Sequence, residues 1–97
     1  MPIDIRSRMN VLRVIINDYK PYQIHKVKLS YSEGKEAIGL TVTGVYCIHD
    51  IVNSGKRCSE IEAAFDKAVE KACRELEKEF PDKRVFESVV YEEEKDY

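Results

Sequence analysis

Cys47, Cys58, His25 and His49 are the residues of this chain best suited to do chemistry. A thiol beside an imidazole can form a nucleophile, because the ring takes the sulfur's proton. Cys47 and His49 stand two apart, which on a strand places both on one face. His25 falls in the strand expected beside it. No neighbouring residue orients the imidazole or supplies donors for an oxyanion, so no catalytic residue is assigned. The same four side chains could surround zinc, which takes thiolate and imidazole ligands in a tetrahedron. The close Cys-x-x-Cys spacing of such sites is absent, and no metal or other cofactor is assigned. Gly34, Gly39, Gly44 and Gly55 are scattered through turns and strands, which argues against a glycine-rich phosphate loop.

The basic residues point elsewhere. Lys26 and Lys28 alternate with Val27, so they project from one face of a strand. Lys56 and Arg57 stand just before the expected start of a helix, where free backbone N–H groups favour anions. These four residues are the candidate nucleic-acid contacts. Glu60 and Glu62 sit at the same helix end and oppose that reading. The competing reading makes the lysines ordinary solvated charge on a sheet edge.

Those residues need elements to hold them. Ile61, Ala64, Phe65, Ala68, Ala72, Leu76 and Phe80 recur at helical spacing and predict an amphipathic helix over 59–80. Ser59 with Glu62 has the form of a capping box, and Pro81 marks the end. Upstream, Val27, Leu29 and Tyr31 alternate with Lys26, Lys28 and Ser30, and Ile38, Leu40 and Val42 alternate with Gly39, Thr41 and Thr43. The two predicted strands flank a hairpin turn at Ser32-Glu33-Gly34-Lys35. Gly44 reads either as a bulge in one long strand or as a tight turn between two. Asn53-Ser54-Gly55 reads as the loop into the helix. Arg84 to Tyr91 predicts a last strand, with Val85, Val89 and Tyr91 facing one way and Phe86 and Val90 the other, both faces covered. Met9, Leu12, Ile15, Ile16 and Tyr19 favour a short N-terminal helix capped by Ser7, although Val11 to Ile16 would also serve as a strand.

The 97 residues allow one domain, expected over residues 1–91 with an acidic tail at 92–97. Hydrophobic residues at 43% and charged residues at 35% fit a folded rather than a disordered chain. Residues 1–57 carry nine Lys/Arg against five Asp/Glu, while 58–97 carry seven against thirteen, a basic front and an acidic back. No apolar run is long enough for a membrane span, and the first residues lack a signal-peptide pattern. With an odd number of cysteines, three, the expectation is reduced thiols in a cytoplasm.

Read as helix, three strands and helix, Met9 to Leu76 resembles the double-stranded-RNA-binding domain. Pro21-Tyr22 opens the first strand, and Ser54-Gly55-Lys56-Arg57 precedes a helix with Ile61, Ala64 and Ala68. That family places two lysines in the first helical turn, where this chain has Cys58 and Ser59. Lys26 to Lys78 is also similar to ribosome hibernation factors, through Ser54-Gly55-Lys56 followed by Ile61-Glu62-Ala63-Ala64-Phe65. That family usually has a longer first helix and a more basic surface. Tyr22 to Val27 with Ala37-Ile38-Gly39 is similar to the regulatory subdomain of 2-isopropylmalate synthases, which implies dimers with an effector between protomers. The catalytic domain those subdomains follow is missing from this sequence.

The expected fold is α+β: a two-layer sandwich with an antiparallel sheet of three to five strands under one long helix. The expected function is a non-enzymatic binding protein associated with RNA or the ribosome. The alternative is a homodimeric regulatory module for a small molecule or a protein partner, covering Val45 to Ile48 and Val89 to Tyr91 with its second copy.

Overall fold

The computed structural model describes residues 5–94. In chain order the elements are α1 (Ile5–Tyr19), β1 (Ile24–Glu33), β2 (Ala37–Tyr46), α2 (Ile48–Ser54), α3 (Cys58–Glu79) and β3 (Arg84–Glu93). The α+β class and the two layers are as expected. The single covering helix is not, because α1 and α3 lie side by side on one face of the sheet. Helix α1 buries Ile5, Met9, Leu12 and Ile16, a stripe at helical spacing that outweighs the β-branched run within it. The helix already includes Ile5, so Ser7 lies inside it and does not cap it. Arg8 and Glu79 join the two helices through an ion pair of 3.3 Å, and the Lys71 ammonium sits 3.8 Å over the Tyr19 ring.

The sheet has the order β1-β2-β3, with β2 in the centre. β1 and β2 form the expected antiparallel hairpin, with Leu29 opposite Val42 and Tyr31 opposite Leu40. β3 pairs with β2 in parallel, Ile38 beside Val85 and Val42 beside Val89, which corrects the all-antiparallel expectation. Helix geometry explains the difference. The 22 residues of α3 span ~33 Å, the length of a ten-residue strand. The helix therefore carries the chain back to the level where β2 began, and β3 must run in the same direction.

Helix α3 buries Ile61, Phe65, Ala68, Val69, Ala72, Cys73 and Leu76 against Ile38, Leu40 and Val42 of the central strand. Ala64 is exposed, and Val69 and Cys73 enter the core, so the buried stripe is turned slightly from the expected one. Gly44 is neither a bulge nor a turn. It continues β2, and a Cβ there would stand 3.0 Å from a ring carbon of Phe65. β3 extends two residues beyond Tyr91, so Glu92 and Glu93 belong to the sheet; residues 95–97 of the expected tail lie outside the described residues.

The other face of the sheet has no helix on it. Register places Ser30, Ser32, Gly39, Thr41, Phe86, Ser88 and Val90 there. Phe86 is 60% exposed and Val90 47%, which corrects the expectation that both faces of β3 are covered.

Candidate nucleic-acid interface

A short helix occupies the segment read as strand end and loop. Cys47 is the N-cap of α2, and His49 lies in its first turn, so the two do not share a strand face. His25 pairs with Glu94 at the far end of β3. Among the described residues no cluster of three His, Cys, Asp or Glu side chains could hold a metal, and Cys47, Cys58 and Cys73 form no disulfide. Cys73 is 2% exposed, and burial, together with the Glu87 carboxylate it hydrogen-bonds, raises its pKa far above the ordinary thiol value. A thiol held protonated in this way is a packing group and not a nucleophile.

The four candidate basic residues fall on two surfaces. Lys26 and Lys28 lie on the open face of the sheet, opposite Val45 and Thr43. Lys28 is occupied: its ammonium approaches Glu92 of β3 at 3.3 Å. Lys26 is exposed and has no ion pair among the described residues. Lys56 and Arg57 lie instead in the turn between α2 and α3, at the end of the sheet where Tyr46 pairs with Ile24.

That turn is built from local chemistry. Gly55 caps α2 in the left-handed region, φ 72°, where a side chain would be strained, and its N–H donates to the Val52 carbonyl at 3.3 Å. The Ser54 hydroxyl donates to the Ile51 carbonyl at 2.7 Å and accepts the Lys56 N–H at 3.2 Å. Arg57, and not Ser59, is the N-cap of α3, and the Glu60 carboxylate accepts its backbone N–H at 3.3 Å. The expected Ser59–Glu62 box is therefore displaced by two residues. Cys58, itself exposed, borders a cavity of about 40 Å³ that is lined also by Ile24, Tyr46, Ile51, Ile61, Glu62 and Tyr91.

The outward surface of the turn suits an anion. Lys56 and Arg57 are exposed, and neither side chain has an ion pair among the described residues. The backbone N–H groups of Cys58 and Ser59, in the first turn of α3, have no acceptor among the described residues. Two cations beside two free donors at the positive end of a 22-residue helix favour an anion. Glu60 lowers the local potential, although its carboxylate is drawn towards the Arg57 backbone.

The sequence located both the turn and its cations, but α2 escaped it. With only seven residues and one buried position, Ile51, α2 lacks a readable stripe. The αL glycine after Val52-Asn53-Ser54 was the signal that could have found it. No family model, curated protein or solved structure matches this chain.

Proposed function

We propose that this chain is a non-enzymatic RNA-binding protein whose α2–α3 turn holds backbone phosphates. The observation that carries the reading is the pairing of Lys56 and Arg57, both exposed and without an ion pair among the described residues, with the unfilled N–H groups of Cys58 and Ser59. In KH modules a Gly-x-x-Gly loop clamps the sugar–phosphate backbone of single-stranded RNA. Gly55-Lys56-Arg57-Cys58 keeps the first glycine and a doubly basic tip, with Cys58 in place of the second glycine. Lys26 adds a third cation from the sheet, whereas Lys28 is held by Glu92.

Titration against an RNA hairpin with a single-stranded tail, at low and at physiological salt, tests the reading. Two phosphate contacts give a log–log salt slope of about −1.4, roughly a sevenfold loss for a fourfold rise in salt. Binding is expected to vanish in a Lys56→Glu, Arg57→Glu double variant. Absence of binding at low salt, or binding indifferent to that variant, rejects it.

A further inference from the structure

The two edges of the sheet are defended differently. β1 has a register shift between Ile24 and Lys26, and Lys26 and Lys28 follow it. Bulges and lysines are the usual means by which an edge strand refuses a partner. β3 has neither. Its ten residues pair with β2 without a register shift, contain no proline, and leave an outer edge of ~33 Å unpaired in the sheet order. Beside that edge a groove of about 510 Å³ lies between β3 and α3, bordered by Glu70, Arg74, Glu77, Phe86 and Glu87.

The outward residues of β3 read Arg84, Phe86, Ser88, Val90, Glu92. That order is self-complementary about its centre: a cation and an anion at the ends, an apolar residue on each side, and serine in the middle. We propose that β3 pairs antiparallel with β3 of a second copy, about a two-fold axis at Ser88, giving a continuous six-stranded sheet. Arg84 then faces Glu92 of the partner subunit, Phe86 faces the partner's Val90, and Ser88 meets the partner's Ser88. On the helix side Val85 meets Tyr91 of the partner subunit, two half-buried apolar residues. A two-fold axis makes each of these pairs except Ser88 with Ser88 occur twice, so the charge and apolar matches are doubled, while Glu87 on the helix side meets the partner's Val89. The strands would exchange roughly ten backbone hydrogen bonds, and Phe86 and Val90 would lose much of their exposure. The other faces do not offer this match. β1 brought against a second β1 sets lysines near lysines, and the large exposed apolar residues of the open sheet face, Phe86 and Val90, lie on β3 itself.

Sedimentation of the wild type, Ser88→Lys and Ser88→Glu, alone and as an equimolar mixture of the two variants, tests the proposal. Ser88 is exposed, and circular dichroism checks that each variant keeps its helices. The wild type is expected to dimerise, with each variant weakened about tenfold by like charge on the axis and the mixture recovering the dimer. Arg84→Glu, at the exposed start of the strand, supplies a second disruption by facing Glu92 of the partner subunit. A wild type that stays monomeric at millimolar concentration overturns the proposal. So does a dimer indifferent to all three substitutions, or a mixture that fails to reassociate. None of these variants touches the α2–α3 turn, so the outcome is independent of RNA binding.

Discussion

Lys28 and Glu92 belong to the two outer strands of the sheet, yet their side chains meet at 3.3 Å across the central strand. His25 and Glu94 make a second crossing of the same kind one step further along. Val45, on the strand between them, is 4% exposed although no helix covers its face. In the register of the sheet it stands between Lys26 of β1 and Glu92 of β3.

Both partners of the Lys28–Glu92 pair are about half exposed, so the pair contributes little to stability. Lys28→Gln is expected to shift the unfolding free energy by less than about 1 kcal/mol. It should also leave RNA affinity within about twofold, because the pair already uses that charge. Binding isotherms beside Lys56→Gln check this; equal losses in the two variants would move the interface onto the sheet.

Gly44→Ala places a methyl group 3.0 and 3.2 Å from two ring carbons of Phe65, and 3.3 Å from Ile24. All three residues are in the core, so the expected cost is about 1–3 kcal/mol in urea denaturation. Phe65→Leu in the same chain should recover part of that cost, since it removes the ring atoms in the way. Strict additivity of the two substitutions would mean that the contact does not set the penalty.

Gln23 is fully buried, and neither its amide nitrogen nor its amide oxygen has a hydrogen-bond partner. Burial without a partner carries a desolvation cost that an apolar side chain of similar length avoids. Gln23→Met is expected to raise the denaturation midpoint, by the equivalent of about 1–3 kcal/mol, with the slope unchanged. A lower midpoint would show that the amide stabilises the fold and would reject the desolvation argument.

Alkaline solution should destabilise the protein. Burial raises the Cys73 thiol, and burial with a hydrogen bond to Asp66 raises the Tyr91 phenol, both far above their ordinary values of 9.0 and 10.0. The unfolded chain then releases these protons at a lower pH than the folded one. Stability contributed by the neutral groups is complete below about pH 9 and falls as pH climbs towards the folded values. Thermal melts from pH 8 upward should show the decline, and Cys73→Ala with Tyr91→Phe should flatten it. An unchanged slope in that double variant would assign the loss to other groups.

The sequence made the long helix and the hairpin legible because each repeats one period over many residues. Ile61 to Leu76 keeps helical spacing, and Val27 to Tyr31 alternates. Direction and coverage are harder to read. Val85 to Tyr91 alternates equally well in a parallel or an antiparallel pair, and only the return path of α3 decides between them. Phe86 and Val90 look like core residues because the pattern records their type and not what lies over them. For the candidate site, the adjacency of Lys56 and Arg57 to a helix start was visible, while the pairing that occupies Lys28 joins positions 64 apart and leaves no local trace.

The parallel strand also sets an order of assembly. Leu29 finds Val42 through a short hairpin, but Ile38 waits for Val85, which leaves the ribosome 47 residues later. The central strand is therefore half paired while α2 and α3 are being made, with one edge open to any extended segment nearby. Folding should show a slow, late step in which β3 closes that edge, and chains truncated before Arg84 should aggregate instead of merely losing stability.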